Sequence, residues 1–182
     1  MTAKEKTSNG PRIDIAVAVS CECWHAFDFD PEALACDIAR LAFAMADVPA
    51  AIQNADLEFS IVLADDTTIQ TLNRDYRGKD TPTNVLSFAA LDAEEETFTA
   101  PADEPWPVGD VILAYETIEK EALEQNKSLR SHLAHLVAHG TLHLLGYDHE
   151  DSHEAEVMES LEVKILKKYG IDDPYSDRKT VA

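Results

Sequence analysis

Six of the seven histidines fall between residues 132 and 153. Neutral imidazole nitrogens at short spacing are metal ligands by chemistry, and one stretch has the spacing for a shared ion: His139-Gly-Thr-Leu-His143-Leu-Leu-Gly146-Tyr-Asp-His149. Residues four apart on a helix sit one turn above each other, so His139 and His143 can grip one ion together. Gly146 can adopt the left-handed conformation that ends a helix and turns the chain back. His149, three residues later, is then placed to supply a third nitrogen. Three nitrogens leave one tetrahedral position for water, which is the catalytic rather than the structural pattern. Zinc, one ion per chain, is the default for imidazole, and nickel, copper and cobalt share the ligand type. His135 is an alternative to His143 as the partner of His139. His132 and His153 are expected to be solvated or to stand behind the ligands.

A second group of candidates lies upstream, in Tyr76-Arg-Gly-Lys-Asp-Thr-Pro-Thr-Asn-Val-Leu-Ser-Phe88. Arg74, Arg77 and Lys79 are clustered in a strongly acidic chain. One reading pairs them with Asp75, Asp80 and other surface acids. The other turns Arg77 or Lys79 towards the metal to hold a phosphate, with arginine favoured because its planar fork matches phosphate oxygens. Asp148, beside His149, is either a proton acceptor or an outer carboxylate that orients an imidazole, and the second role is preferred. Ser87 either contacts substrate or merely ends a strand, and the latter is preferred.

Elements that would position these residues follow from pattern and caps. Arg12–Val19 and Leu57–Leu63 read as strands. Asp30-Pro31 opens a helix reaching about Ala46. Asp65, Asp66 and Thr67 are N-cap candidates for a helix with Ile69, Leu72 and Tyr76 on one stripe. Val85–Phe88 is a short strand, Ala89–Asp110 an acidic surface loop, and Val108–Ala114 a further strand. Helices are expected at about Glu116–Glu124, Ser131–Leu145 and Ser152–Tyr169, with Val157, Leu161 and Ile165 facing the core. At about 100° per residue, His132, His135, His139 and His143 share a stripe roughly 80° wide. Leu133, Leu136, Val137 and Leu144 occupy the adjoining arc. Strands early and helices late predict an α+β fold: a single domain with a small mixed β-sheet packed against several helices, and the metal site on a helix of the C-terminal half. Residues 1–11 are expected to be a disordered tail, 12–170 the domain, and 171–182 a C-terminal tail.

Composition narrows the function. The 182 residues are 45% hydrophobic, enough for one real core. A balance of 15 Lys+Arg against 35 Asp+Glu gives −20 with histidine neutral. Bulk electrostatics therefore cannot carry nucleic-acid binding, and a polyanionic substrate needs a local basic or metal-bearing patch. No run of about 18 apolar residues is present to span a membrane, and the polar start does not read as a secretory signal. Three cysteines argue against a disulfide framework. Cys21 and Cys23 are expected to pack as ordinary side chains, as are Trp24 and Phe27.

The spacing H-x-x-x-H-x-x-G-x-x-H is shared with the metzincin proteases, whose general base is a Glu directly after the first His. That position is Gly140 here. Positioned proton transfer is typically worth about 10²- to 10⁴-fold, so a peptidase of that type would lose most of its rate.

Taken together, the histidine motif and the Tyr76–Phe88 segment resemble the bacterial YbeY family, with Gly109-Asp-Val-Ile-Leu-Ala114 similar to its strand ahead of the helices. The resemblance covers roughly residues 56–169. It implies a metal-dependent, single-strand-specific endoribonuclease of ribosomal RNA maturation and ribosome quality control, and the composition and polar start separately lead us to expect a cytoplasmic protein. It also implies metal binding at His139, His143 and His149, with Arg77 functionally important in the cleft. A glycine after the first histidine is normal in that family. Expected partners are single-stranded or ribosomal RNA and the ribosomal small subunit or an associated factor, with no DNA and no membrane. The alternatives are a metzincin-like zinc peptidase and a non-catalytic, metal-containing ribosome-assembly factor.

Overall fold

The computed structural model describes residues 12–48, 52–90 and 104–176. Within them the chain runs β1 (Ile13–Val19), a short 3-10 helix (Glu22–His25), α1 (Pro31–Met45), β2 (Leu57–Ala64), α2 (Asp66–Arg77) and β3 (Val85–Ala89). It continues with β4 (Trp106–Ala114), α3 (Tyr115–Glu124), α4 (Leu129–Leu144) and α5 (Ser152–Lys168). The four strands form one mixed sheet in the order β1-β2-β4-β3, with β3 antiparallel to β4 and the other pairs parallel. This is the α+β single domain that the order of strands and helices predicts. Among the described residues no helix is long and apolar enough to cross a membrane.

Strand alternation divides the core in two. Phe59, Ile61, Leu63, Val111 and Leu113 face the main core with α1 and α4, whereas Ala64, Ile112 and Ala114 face a smaller cluster with Ile69 of α2. α4 is the central helix, packed against β3, β4, α1, α3 and α5. At Gly140 it lies tight against the sheet. A Cβ there would lie 2.8 Å from Val111 Cγ1 and 3.1 Å from Ser87 Oγ. Only glycine lets the helix lie so close to β3 and β4.

Several expectations change at this level. The acidic loop predicted for Ala89–Asp110 is shorter: Ala89 ends β3, and β4 begins at Trp106. Pro107 in β4 obscures the strand in the sequence, and Gly109 marks a register shift opposite Glu58 and Phe59. Gly109 has φ +136°, and a Cβ there would run into the Phe88 carbonyl. The rest of the acidic stretch, 91–103, lies outside the described residues, as does the 1–11 tail. Cys21 and Cys23 do not pack as free thiols but are joined as a disulfide across one residue, with Cα atoms 5.3 Å apart. Trp24 is fully buried as expected, its Nε1–H donating to the Ala64 carbonyl at 2.9 Å. Val157 is 45% exposed, because the inward face of α5 is set one residue round and carries Met158, Glu162, Ile165 and Leu166. Tyr76 also breaks its stripe. Ile69 is buried, yet Tyr76 is 71% exposed and meets the rim of that cluster at Phe88.

Candidate metal centre

The centre is built at the C-terminal end of α4 and the turn that follows. Ser128 caps the helix start, its Oγ accepting from the Ser131 N–H at 3.0 Å. At the other end Gly146 has φ +88°, and the Tyr147 N–H returns to the Leu142 carbonyl at 3.1 Å. That is the glycine-terminated helix end anticipated from the motif. The turn is fastened to α1's end by the Asp47 N–H, which donates to the Tyr147 hydroxyl at 2.9 Å.

His149 thereby comes back over the last turn of α4. One ring nitrogen from each of His139, His143 and His149 lies within 4.8 Å of the others, and among the described residues theirs is the only such group able to hold a metal. The Nε2 atoms of His139 and His143 are 3.1 Å apart. Two nitrogens on one tetrahedral zinc stand about 3.3 Å apart given bonds of ~2.0–2.1 Å. The pair is thus already at ligand spacing. The alternative partner, His135, turns elsewhere: its Nε2 lies 3.0 Å from both Glu162 Oε2 and the Tyr175 hydroxyl.

Glu162 organises the back of the centre. Its side chain is 1% exposed, and its Oε1 accepts from His139 Nδ1 at 2.8 Å. Burial pushes this carboxyl upward, but the hydrogen bonds from His135 and His139 outweigh it and hold its pKa down to about 2. Tyr175, from the segment after α5, adds a hydrogen bond to the same Oε2. Glu162 is the outer carboxylate that the sequence assigns to Asp148. Asp148 instead accepts the backbone N–H of His149 at 2.7 Å. His143 is held below the usual histidine range by burial first, then by the neighbouring His139 and His149. It is therefore ready as a neutral ligand.

His132 departs from expectation more sharply. It is buried, with Nε2 2.8 Å from Glu121 Oε2, and Glu121 also accepts from Asn84 Nδ2 at 3.0 Å. The histidine stripe therefore divides: His132 faces the half-buried Glu121, His135 faces the buried Glu162, and His139 and His143 face the open centre. His153 is exposed.

A cleft of about 650 Å³ opens in front of the three imidazoles, and Arg77, Asn84, Ser87 and Asp148 also line it. Arg77 is the last residue of α2, where Gly78 stops the helix at φ +68°. The buried Asn73 side chain then ties the following loop down, donating to the Thr81 carbonyl at 2.8 Å. Arg74 makes the predicted surface pair, with Asp75 at 2.9 Å. Arg77 has no carboxylate within ion-pair distance among the described residues, and neither does Lys79. Ser87 is used structurally, its Oγ donating to the Gly140 carbonyl at 3.1 Å.

The family model for Endoribonuclease YbeY matches residues 29–170. The chain belongs to the YbeY family. The match spans Arg77 and all three imidazoles of the centre. An Endoribonuclease YbeY of Paramagnetospirillum magneticum (strain ATCC 700264 / AMB-1) is 51% identical over 91% of this chain and 98% of its own length. One from Rhodopseudomonas palustris (strain BisB18) is 46% identical over 91% and 94%. A solution structure of TM1509 from Thermotoga maritima is similar over 86% of this chain and 91% of that one, with 21% identity and a TM-score of 0.48.

Glu162 and Glu121 escape the sequence reading of this YbeY chain. Glu162 has one visible signal, an acid on the same helical face as Met158 and Ile165. An acid among core positions demands partners. Glu121 carries no such mark.

Proposed function

We propose that this protein is a metal-dependent endoribonuclease that cuts single-stranded RNA in ribosomal RNA maturation and ribosome quality control. Its centre takes one zinc ion at His139, His143 and His149. The observation that carries this reading is the composition of the cleft: among the described residues, three convergent imidazoles, an arginine without an ion-pair partner, and Asp148 as the only lining carboxylate. On a chain of net charge −20, this is a local place where a phosphodiester escapes general repulsion.

A divalent ion held there supplies Lewis acidity, polarising a phosphoryl oxygen or lowering the pKa of water. The protein's own groups do the rest. Arg77 binds the phosphodiester and stabilises charge gathering on its non-bridging oxygens. Glu162 keeps the proton of His139 on Nδ1 and its lone pair on Nε2, facing the centre. Asp148 is the carboxylate available to take a proton in the cleft. A peptidase is disfavoured, since Gly140 lies against Val111 and Ser87 and has no room for a general base.

Acidity elsewhere on the surface means that naked RNA binds weakly. The ribosomal small subunit or an associated factor, in the cytoplasm, brings enzyme and substrate together. The reading is tested by metal analysis combined with RNA end-mapping on wild type, Arg77→Ala and His143→Ala. Expected results are one metal per chain and defined cuts for wild type, full metal without efficient cutting for Arg77→Ala, and neither for His143→Ala. A folded, metal-free His143→Ala protein that still supports ribosome maturation would instead favour a non-catalytic assembly factor.

A further inference from the structure

We infer that Tyr76, braced by Phe88, forms a stacking subsite for one unpaired base of the RNA strand, next to the metal centre. The inference rests on the endoribonuclease reading and extends it to how the strand is held.

Tyr76 is out of place by the rules of its own helix. It continues the Ile69 and Leu72 stripe, yet the residue is 71% exposed. Among the described residues the exposed large hydrophobic side chains are Tyr76, Leu123 and Val157. Tyr76 is the aromatic one of the three, and it alone of them lines the histidine cleft.

The ring is nonetheless held. Its centroid lies 5.2 Å from that of Phe88, with the planes inclined at 66°. An edge-to-face contact of this kind fixes a ring while leaving aromatic face open. The backbone beneath is also fixed, by the left-handed Gly78 cap and by Asn73 on the loop carbonyl.

Arg77 and Tyr76 both line the cleft, so a phosphate-binding fork and an aromatic face are presented to the same space. A nucleotide presents the same pair, a phosphate and a base. Stacking demands an uncovered base face, which a duplex does not offer, so the subsite selects single strands without reading sequence. It also provides attraction that does not depend on charge, which suits an enzyme whose surface repels polyanions.

The experiment uses metal-loaded wild type, Tyr76→Phe and Tyr76→Leu with a short single-stranded RNA, and oligonucleotides carrying one abasic residue at successive positions. Tyr76→Phe should stay within about twofold of wild type in KM. Tyr76→Leu should raise KM about 5- to 100-fold, as expected for losing one base–aromatic stack, with an unchanged salt slope. At one position the abasic substitution should weaken wild type and leave Tyr76→Leu unaffected. A wild-type KM in Tyr76→Leu, or wild-type indifference to every abasic position, overturns the subsite while leaving RNA cleavage intact. The second readout needs no variant to fold. If wild type neither binds nor cuts single-stranded RNA, the endoribonuclease reading itself fails and the subsite goes with it.

Discussion

His139 Nδ1 and Glu162 Oε1 stand 2.8 Å apart, joining the central helix to the last one. An ionised carboxylate only accepts, so the proton of His139 lies on Nδ1 and its Nε2 carries a lone pair. That Nε2 faces the Nε2 of His143 at 3.1 Å. Two bare nitrogens at this distance repel unless a proton or a cation lies between them. Glu162 thus leaves a pair of neighbouring histidines arranged as the proposed metal clamp needs them.

Replacing this carboxylate should loosen the clamp. Glu162→Gln keeps the shape but loses the charge, and its amide NH₂ competes for the wrong tautomer. Metal affinity should fall about 10- to 100-fold, in line with outer-shell substitutions elsewhere. Competition against a chromogenic chelator measures this directly, without an RNA assay. An affinity equal to wild type would show that His139 needs no help from α5.

Arg77 has the opposite profile. Its guanidinium contacts none of the three imidazoles by hydrogen bond, so Arg77→Ala should leave metal content full and the melting temperature near wild type. RNA cleavage should drop about 10²- to 10³-fold, the usual cost of removing one group that stabilises transition-state charge. Arg77→Lys should recover part of the rate, since charge remains but the fork is lost. Full activity in Arg77→Ala would remove this residue from the chemistry.

Local chemistry explains which parts were legible in the sequence. The convergence of the three imidazoles was readable because a helical repeat and a glycine turn are both short-range features, complete within eleven consecutive residues. The mixed sheet was readable from alternation and caps. The carboxylates behind the histidine stripe were not, because Glu162 and Glu121 meet α4 only through tertiary packing, 23 residues from His139 and 11 from His132. Tyr76 misled for the same reason. Periodicity shows which face of α2 is apolar, but not how far along the helix that face is covered. The Cys21–Cys23 bridge defied the expectation drawn from cysteine count, since a bridge within one tight turn needs no framework.

Gly140 sets two effects against each other. Alanine in a helix interior is favoured over glycine by about 1 kcal/mol. Here the added methyl would meet Val111 Cγ1 at 2.8 Å, inside a packed core where neither β4 nor α4 can easily retreat. Overpacking of this kind costs about 1–3 kcal/mol. Gly140→Ala should therefore be destabilised on balance, by about 1 kcal/mol, and Gly140→Glu should be far worse. Denaturant titration of metal-free protein gives the answer, and a stabilised alanine variant would mean that the helix is free to lift off the sheet.

Acid should weaken the protein from one direction only. The Glu162 carboxyl is held at about 2 against an ordinary value of 4.5, so its contribution is complete above the unfolded value and is lost as pH falls through the folded one. His143 lies below its ordinary 6.5 because of burial, then the adjacent His139 and His149. The unfolded chain therefore takes up the His143 proton first, and stability falls as pH drops below about 6.5. Both slopes have the same sign. Metal adds a third, because protons compete with the ion for the imidazole nitrogens. Urea midpoints measured between pH 8 and pH 4 should decline with acidification for the metal-free protein, and more steeply when metal is present at a fixed concentration. His143→Gln should flatten the upper part of the metal-free curve, near pH 6. A metal-free protein whose midpoint rises as pH falls from 7 to 5 would contradict the neutral, ligand-ready state assigned to His143.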